Sequence, residues 1–458
     1  MGYGKRLRRR LLTAASVLWL LFLSLFVFAD DPFAEMDAIA DEATASKVIR
    51  VGVFYASTAQ KRVTLESESG FTVYVSAYGE AASYVEATTL TATLDGGMLT
   101  VTDSDGKVVA AAAEGSVEFT SASDDGILGL GGKSYRGAIR LMPQGDGMTV
   151  INVVSVEDYL RGVLPSEVYP SWNAEALKAA AVVTRTYSLR TILSSPHASS
   201  GFDICTSTHC QVYGGTSKEH PATDKALEDT AGQVLLYDGK LALTPYHSSS
   251  GGATASAAAV WGGDPAAYPY LASVETPYED YRNVPNGKWI TVISPAELHK
   301  RAGRAYAARI DTETMTFDIT RDKAGFAVAM TVTDASGKSV KLSNADSIRS
   351  FFGSLVKSAN FGLAKTFVPG DETIGAVTVL TVGGEKTVTG FDGFDYLTAD
   401  GVKHADGLSE VYVFDGQGYG HGVGMSQFGA RCMADAGFTY DEIVRTYFPG
   451  TVIAPFEE

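Results

Sequence analysis

The segment INVVSVEDYLRGVLPSEVYPSWNAEALKAAAVVTRTYSLRTIL, residues 151–193, decides the fold of this chain. In its first half Ser155 precedes Asp158 by three residues, which is the spacing of a capping box with Asp in place of Glu or Gln. The stretch VEDYLRGVL follows. We expect this helix to stop at Pro165, because proline lacks the amide hydrogen that a helix interior needs. The segment therefore begins with one short helix.

A longer helix follows in the second half of the segment. Asn173 is a favourable N-cap, and the alanine-rich run after it has high helix propensity. Apolar side chains recur there at helical spacing, at Leu177, Ala180, Val183 and Tyr187. The sequence LPSEVYPSW joins the two helices, so we predict an interhelical loop that contains Glu167.

On the N-terminal side, residues 47–133 form a β-rich region. VIRVGVFY, GFTVYVSAY and SVEFTS are short runs of strand-forming residues, and Gly-Gly, Ser-Asp-Gly and Asp-Asp-Gly turns separate such runs. No cluster of catalytic residue types lies among them. We therefore predict a mostly antiparallel scaffold.

On the C-terminal side the pattern alternates between strands and helices. Strands and Gly/Ser loops return over 230–290, residues 294–307 predict a helix, and 308–342 predict strands. A Gly-rich loop and two short helices end the chain. We predict an α+β fold with a core over 134–280 that 411–458 completes, a mixed subdomain over 281–370, and a β-type insertion over 371–410.

The N-terminus carries a targeting signal. Residues 1–10 hold five cations, and the nearly all-apolar run 11–29 is about 28 Å long as a helix, close to the roughly 30 Å of a bilayer core. The basic flank places the N-terminus in the cytoplasm and the remainder outside. Val27-Phe28-Ala29 also resembles a cleavage site. We expect either a single-pass membrane anchor with an extracytoplasmic domain or a secreted chain, with 30–46 as the linker.

The charge of the chain excludes one class of function. Lys and Arg total 37 against 53 Asp and Glu, which gives a formal net charge of −16. Nucleic-acid binders need an excess of cations to neutralise phosphates, so we predict no nucleic-acid partner. Three cysteines in 458 residues likewise exclude a disulfide-stapled scaffold.

Glu167 is the sharpest candidate for catalysis. Val168, Tyr169 and Trp172 flank it, and such neighbours remove water from a carboxyl group and raise its pKa. A raised pKa suits a general acid that must hold a proton near neutral pH. A single glutamate before a helix is also a common partner of the helix dipole, and the pattern alone leaves both interpretations open.

A second constellation lies in the loop PHASSGFDICTSTHCQVYGG. His197, Cys205, His209 and Cys210 fall within 14 residues and offer the four ligands of a closed, structural zinc site. The spacing is not that of a zinc finger, and a Cys205–Cys210 disulfide is the alternative in an exported chain. The two histidines favour the metal. Cys432 is left as a buried thiol.

Two further motifs bear on binding. PYHSSSGG, followed by Trp261 and the stretch YPYL, combines hydroxyls, glycines and aromatic rings that suit a carbohydrate groove. A Ser–His pair built on His247 is conceivable, but no G-x-S-x-G elbow surrounds it. GYGHGVGMSQFG near the C-terminus lacks the Gly-Lys-Ser/Thr ending of a phosphate loop, so nucleotide binding is not supported.

Taken together, four ordered motifs resemble one family. The two-helix segment, YHSSSGG, VWGG…PYL and GHGVGMSQFGA…IVRTYFPG are similar to motifs of the stage II sporulation protein D / amidase-enhancer (LytB) family, over 134–280 and 411–453. The chain is longer than the core family pattern, and it has Ser-Glu-Val where Ser-Glu-Met is common.

The resemblance implies a membrane-anchored lytic transglycosylase that cuts peptidoglycan glycan strands during engulfment of the forespore. Its catalytic glutamate would be Glu167, acting first as acid and then as base to leave a 1,6-anhydro-N-acetylmuramic acid end. The alternative is a non-catalytic enhancer that binds glycan and stimulates a cell-wall amidase. Other membrane-bound engulfment proteins are the further partners that it implies.

The resemblance also implies site residues. Some family members bind zinc through Cys and His in the loop after the alanine-rich helix, which matches His197, Cys205, His209 and Cys210 here. The remaining residues in matching motifs are expected to bind substrate in the groove: Lys178, Arg185, Tyr187, Tyr246, His247, Ser248, Ser249, His421 and Gln427.

Overall fold

The computed structural model of this chain describes residues 48–76, 83–123, 125–280, 284–306, 315–370, 376–381, 384–389, 394–398, 401–405 and 407–456. The predicted anchor or signal at 11–29 and its linker lie outside these ranges. Within them, no helix combines the length and the apolar character needed to cross a membrane.

Among the described residues up to position 155, the chain is built from twelve consecutive strands. Apolar residues alternate along many of them, so one face of each is buried. They are β1 (Val48–Phe54), β2 (Arg62–Glu66), β3 (Phe71–Val75), β4 (Ser83–Val85), β5 (Thr89–Asp95), β6 (Met98–Thr102), β7 (Val108–Ala112), β8 (Val117–Ser121), β9 (Ile127–Leu130), β10 (Lys133–Arg136), β11 (Ala138–Gln144) and β12 (Gly147–Ser155).

These strands form two sheets, with one later strand, β13 (Ile204–Cys205), added to the first. The first sheet has the order β13-β1-β12-β11-β8-β3-β4, and the second has the order β10-β9-β2-β5-β6-β7. All pairs among β1 to β12 are antiparallel, which confirms the predicted antiparallel region. β13 runs parallel to β1 and pairs Cys205 with Gly52. This pairing attaches the Cys/His loop to the scaffold.

Both predicted helices form, and each begins at its predicted N-cap. Helix α1 (Val156–Glu167) is capped by Ser155, and helix α2 (Ala174–Ser194) is capped by Asn173. Each capping side chain accepts a hydrogen bond from an amide of the first turn, at 3.1 Å and 3.0 Å. The caps satisfy amide groups that have no partner inside the helix.

The predicted end of α1 at Pro165 is wrong. Pro165 lies inside the last turn, and the Val168 amide still donates to the Leu164 carbonyl at 3.0 Å. A proline removes one helical hydrogen bond, but α1 buries most of its apolar side chains, and this burial keeps the last turn helical. Glu167 is therefore the last residue of a helix rather than part of an interhelical loop.

The remaining elements complete the core and form a second subdomain. The helices are α3 (Pro221–Asp229), α4 (Ala257–Trp261), α5 (Pro295–Tyr306), α6 (Ala345–Phe352), α7 (Gln427–Asp435) and α8 (Tyr440–Tyr447). The strands are β14 (Gln233–Tyr237), β15 (Lys240–Leu241), β16 (Tyr246–His247), β17 (Lys288–Ile293), β18 (Met315–Arg321), β19 (Ala327–Asp334), β20 (Ser339–Leu342), β21 (Phe361–Gly370), β22 (Ala376–Thr381), β23 (Gly384–Thr389), β24 (Phe394–Thr398), β25 (Gly401–Ala405), β26 (Gly407–Gln417), β27 (Met425–Ser426) and β28 (Val452–Pro455). The α+β prediction is confirmed.

The second subdomain has its own hydrophobic core, centred on Phe352, Phe361 and Phe414. Two three-stranded sheets, β17-β26-β21 and β18-β19-β20, surround it. The sequence predicts that residues from 411 onward complete the first core, but β26 pairs on both sides with strands of this subdomain. β22 and β23 form one antiparallel hairpin of the predicted insertion, and β24 and β25 form another.

A buried arginine joins the helices of the core. Arg185 of α2 is 1% exposed. Its Nε and Nη2 donate to the two carboxylate oxygens of Glu157 on α1, at 2.6 and 2.9 Å. Its other N–H groups donate to Leu227 O at 3.1 Å, Gln233 O at 3.3 Å and Thr230 Oγ1 at 3.4 Å. All five guanidinium hydrogens thus have partners, on α1, on α3 and in the segment that leads into β14.

We predict that Arg185→Lys lowers the free energy of unfolding by about 3 kcal/mol, because an ammonium group cannot replace the paired N–H groups and leaves buried acceptors without a donor. Urea denaturation would measure the change. Arg445→Ala is the matched control, since Arg445 is exposed and pairs with Asp441 within one helix, and it should cost less than about 1 kcal/mol. Equal losses for the two variants would contradict the structural role of Arg185.

Candidate functional site

The Glu167 carboxyl group lies where three distant segments meet. The Val212 amide donates to its Oε1 at 3.3 Å. The Gln427 side-chain Nε2 donates to its Oε2 at 3.3 Å and to the Glu167 backbone carbonyl at 2.9 Å. Tyr246 of β16 supplies a further side-chain hydrogen bond to the carboxylate. These contacts hold the carboxyl group in place, and Glu167 as a residue is partly exposed.

Burial and hydrogen bonding act on the Glu167 proton in opposite directions. Burial raises the pKa of Glu167 above its ordinary value, because desolvation penalises the carboxylate. The hydrogen bonds from Val212, Gln427 and Tyr246 lower the pKa but do not outweigh burial. The net upward shift agrees with the sequence argument and gives the carboxyl group the character of a general acid.

The segment that carries Val212 is fixed by an aromatic and amide network. The Tyr213 hydroxyl donates to Asn152 Oδ1 at 2.9 Å, and the Tyr213 ring lies 4.8 Å from that of Tyr159 on α1. Gly162 makes this packing feasible, since a Cβ atom there would come within 2.6 Å of the Tyr213 ring. Next to it, Gln211 Nε2 donates to the Tyr246 hydroxyl at 3.2 Å.

The four predicted metal ligands come together in the same loop. One ligand atom from each of His197, Cys205, His209 and Cys210 lies within 4.8 Å of the other three. His209 Nδ1 is 3.2 Å from the Cys210 sulfur and 3.7 Å from the Cys205 sulfur, and His197 Nε2 is 3.4 Å from the Cys210 sulfur. Two thiols and two imidazoles at such separations fit a tetrahedral zinc ion.

The two thiols differ in acidity. Burial opposes ionisation of Cys205, but hydrogen bonds involving Ser207, Cys210 and Tyr55 outweigh it and lower the pKa of Cys205 to about 6. Burial and the neighbouring Cys205 raise the pKa of Cys210 to about 12. Cys205 and Cys210 are free thiols rather than a disulfide, and so is Cys432, which is half-buried.

An aromatic surface adjoins Glu167. Tyr169, Trp172 and Phe428 contact one another, with ring centroids 5.1 to 6.3 Å apart. Tyr169 is 60% exposed, whereas Phe428 is 7% exposed and supports the other two rings. Aromatic rings that are exposed or partly exposed beside a carboxyl group are suited to contact the apolar faces of sugar rings.

Three of the predicted groove residues lie near Glu167. Tyr246 and Gln427 contact its carboxyl group as described, and the Tyr187 ring lies 6.1 Å from that of Tyr246. Burial raises the pKa of Tyr187 to about 12, and the Glu167 charge contributes in the same direction. Both tyrosines therefore remain protonated phenols that can donate hydrogen bonds at neutral pH.

The structure does not bring Lys178 or Arg185 to this site. These residues are seven positions apart on α2 and share one face of the helix, roughly opposite the face of Tyr187. Lys178 pairs with Glu175 at 3.0 Å and with Asp229 at 3.7 Å. All the N–H donors of Arg185 are engaged by acceptors of the core, so Arg185 has no donor left for a ligand. Their prediction as groove residues is corrected to a role in helix packing.

His247, His421 and Ser249 form a second cluster, in which His247 and Ser249 are buried and His421 is partly exposed. Adjacent strand residues point to opposite faces, so His247 points away from the Tyr246 side of β16. Its Nδ1 bonds to the Val423 carbonyl at 3.1 Å, and its ring is 5.6 Å from that of His421. Burial and the nearby His421 lower the pKa of His247 to about 3, and burial with Arg349 lowers that of His421 to about 4.

This cluster gives no support to a serine hydrolase. His247 Nε2 and Ser249 Oγ are buried without a hydrogen-bond partner among the described residues, so they do not form a Ser–His pair. Ser248 contributes its backbone carbonyl, which accepts from the Phe428 amide at 3.0 Å. Ser248 thus supports α7 through its backbone.

Sequence reasoning missed four residues that shape the site. Gln211 and Val212 follow the cysteines, and no sequence motif marks them as site residues. Gln211 contributes a carboxamide and Val212 a backbone amide, and such groups occur throughout any sequence. Glu279 and Ser426 were also missed. Glu279 is 4% exposed and accepts hydrogen bonds from Ser250 and Ser426. Glu279 directly follows the stretch ETPY, and from sequence alone a charged residue there would be predicted to lie exposed to solvent.

Comparison with known proteins gives consistent matches. The family model described as "Stage II sporulation protein" (SpoIID) matches residues 144–237, which include α1, α2 and the Cys/His loop. Stage II sporulation protein D of Bacillus subtilis (strain 168) is 30% identical over 315 residues, covering 66% of this chain and 75% of that protein.

Two further relatives extend the comparison. The amidase enhancer of Bacillus subtilis (strain 168) is 31% identical over 320 residues, which cover 65% of this chain but only 40% of that protein. An uncharacterized protein of Brachyspira hyodysenteriae is 30% identical over 333 residues, covering 71% of this chain and 74% of that protein.

The raised pKa of Glu167 has a consequence for stability. A carboxyl group whose pKa is raised in the folded state costs more free energy to ionise there than in the unfolded chain. Protonated Glu167 therefore contributes stability that is fully present below the unfolded pKa of about 4.3. This contribution is lost as the pH rises through the folded pKa. Relative to wild type, Glu167→Gln should therefore become more stable as the pH rises from 4 to 8. Urea unfolding at several pH values measures this difference, and parallel stability curves would contradict it.

For the Cys/His cluster we predict one zinc ion per chain, measured by elemental analysis of the purified protein. Cys210→Ser should abolish zinc binding and lower the melting temperature, because the binding energy of the ion that joins the ligands would no longer stabilise the folded loop. Cys432→Ser is the control and should retain full zinc content. Absence of zinc together with a Cys205–Cys210 disulfide in peptide mapping would overturn this prediction.

Proposed function

This chain belongs to the stage II sporulation protein D / amidase-enhancer family, and we propose that it is a peptidoglycan lytic transglycosylase with Glu167 as its catalytic group. Its substrate would be the glycan backbone of the cell wall, cut between N-acetylmuramic acid and N-acetylglucosamine. Its biological setting would be cell-wall remodelling in sporulation, during engulfment of the forespore.

One observation carries this proposal. Glu167 has a raised pKa and is partly exposed as a residue, and within the described part of the chain the groups that hydrogen-bond its carboxylate are uncharged donors, with no second carboxylate among them. Ordinary glycosidases need two carboxyl groups, one as acid and one as base or nucleophile. A single carboxyl group suffices if the nucleophile is a hydroxyl of the sugar itself, as in lytic transglycosylases.

The reaction then uses one carboxyl group twice, first as an acid and then as a base. Protonated Glu167 donates its proton to the glycosidic oxygen, and the bond to the anomeric carbon breaks. The Glu167 carboxylate takes the proton of the C6 hydroxyl as that oxygen attacks the anomeric carbon. The products are a free N-acetylglucosamine hydroxyl and a 1,6-anhydro-N-acetylmuramic acid end, with Glu167 protonated again and no water consumed.

The surrounding residues have complementary roles. Gln427, Tyr246 and the Val212 amide orient the carboxyl group and stabilise its ionised form between the two proton transfers. Tyr169 and Trp172 would contact a sugar ring. A zinc ion at the Cys/His cluster would be structural, because four protein ligands leave no open position, and it would fix the loop from which Gln211 and Val212 reach the site.

The location of the protein follows from the same proposal. A substrate outside the cytoplasm requires export, which the apolar run at 11–29 would provide as a membrane anchor or as a cleaved signal.

The test is product analysis. The purified protein would be incubated with glycan strands freed of stem peptides, and we expect 1,6-anhydro ends detectable by mass spectrometry. Glu167→Gln, which keeps the size of the side chain but cannot donate a proton as an acid, should reduce their formation at least about 100-fold. Undiminished cleavage by this variant would contradict the assignment of Glu167, and the absence of anhydro ends from wild type would contradict the reaction.

The similarity to an amidase enhancer supports a second candidate function, in which the chain binds glycan and stimulates a cell-wall amidase. The same variant separates the two functions. If the chain is an enhancer, the wild-type protein and the Glu167→Gln variant should accelerate the amidase to the same extent, and neither should form anhydro ends.

A further inference from the structure

Glu279 is a buried carboxyl group with no part in the reaction proposed above. It is 4% exposed and follows the loop after α4. Its Oε1 accepts from the Ser250 amide at 3.0 Å, and its Oε2 accepts from the Ser250 hydroxyl. The Ser426 hydroxyl donates to Oε2 at 2.9 Å. Glu279 thus joins the YHSSSGG motif to the C-terminal Gly-rich motif.

The link through Ser426 leads directly to the catalytic site. Ser426 is the N-cap of α7, and its hydroxyl oxygen also accepts from the Gly429 amide at 3.0 Å. The next residue, Gln427, is the first of α7 and donates its side-chain amide to Glu167. One hydroxyl group therefore connects the Glu279 carboxylate to the start of the helix that orients Glu167.

The packing around this link leaves little room for adjustment. A Cβ atom at position 429 would come within 2.0 Å of the Tyr447 hydroxyl and 3.0 Å of Glu279 Oε2. β16 and β27 run parallel, with His247 paired to Ser426, which fixes the backbone on the other side. The start of α7 is thus held by Glu279 on one side and by β16 on the other.

We propose that Glu279 is a positioning residue that fixes the first turn of α7 and thereby keeps the Gln427 side chain on Glu167. The expected effect of Glu279 on turnover rests on the proposed function, whereas its positioning role does not. Four donors converge on the two oxygens of Glu279, and only a carboxylate accepts them all: the amides of Ser250 and Gly251 and the hydroxyls of Ser250 and Ser426. A carboxamide has one acceptor oxygen and adds two donors of its own.

Several ionisable groups face the two carboxyl groups. Tyr159, Tyr187 and Tyr246 face Glu167 from α1, α2 and β16. Tyr447 and Cys432 face Glu279 from α8 and α7. None of them is a cation, so hydrogen bonds are the interactions that oppose the desolvation of these carboxyl groups. Those to Glu167 come from Val212, Gln427 and Tyr246, and those to Glu279 come from Ser250, Gly251 and Ser426.

The test measures the titration of Glu167 directly. The protein would be labelled with carbon-13 at glutamate carboxyl groups, and the Glu167 resonance assigned by its loss in Glu167→Gln. In Glu279→Gln the Gln427 hydrogen bond to the carboxylate should be weakened, so the Glu167 pKa should rise by about 0.5 to 1 unit. An unchanged Glu167 titration in a folded Glu279→Gln protein would overturn the proposal, even if its melting temperature falls.

Two further variants keep the test decisive. Ser426→Ala breaks the link while leaving Glu279 in place, so it should give the same upward shift, and it decides the question if Glu279→Gln does not fold. Adding Glu279→Gln to Gln427→Ala should shift the Glu167 titration no further than Gln427→Ala alone, because both act through one contact. Independent, additive shifts would contradict the link.

The control is Glu275→Gln, which removes an exposed carboxyl group four residues away and should leave the Glu167 titration unchanged.

Activity gives a separate readout. If wild type forms anhydro ends, the alkaline limb of kcat/KM should move to higher pH in Glu279→Gln by the same amount as the Glu167 titration. If wild type forms none while the titration still shifts, the proposed reaction fails and the positioning role stands.

Discussion

The buried guanidinium of Arg185 is the interaction on which the arrangement of the core depends. A charged group with 1% exposure is stable only when its hydrogen-bonding capacity is met, and here α1, α3 and the segment leading into β14 all supply acceptors. This requirement fixes α1 against α2. Since Glu167 is the last residue of α1, the position of the candidate catalytic carboxyl group follows from a contact near the opposite end of the same helix.

From that fixed helix end, the site is assembled by segments far apart in the chain. Val212 approaches from the Cys/His loop, Tyr246 from β16 and Gln427 from the start of α7. Each contributes an uncharged donor, so the pKa of Glu167 is set by a balance between desolvation and hydrogen bonding rather than by ion pairing. Such a balance allows one carboxyl group to release and regain a proton without a large change in its surroundings.

Local sequence signals predicted the secondary structure of the core well and its packing poorly. Ser155 and Asn173 marked both helix starts, because capping depends on the nearest amides. Pro165 was misread as a helix end, because the burial that keeps the last turn helical comes from distant segments. Arg185 and Lys178 were misread as ligand-binding groups, because a motif shows which residues are present but not which face of a helix is covered.

What the sequence by itself determined is the chemistry available: one glutamate with apolar neighbours, two thiols and two imidazoles within one loop, and two helices with their caps. These features depend on which residues are present and on their spacing over short distances, and both can be seen directly in the sequence. Only the tertiary structure decided which groups meet. The contacts of Gln427 with Glu167 and of Ser426 with Glu279 join residues 260 and 147 positions apart. Their formation depends on the packing of whole helices and strands, which no local pattern encodes.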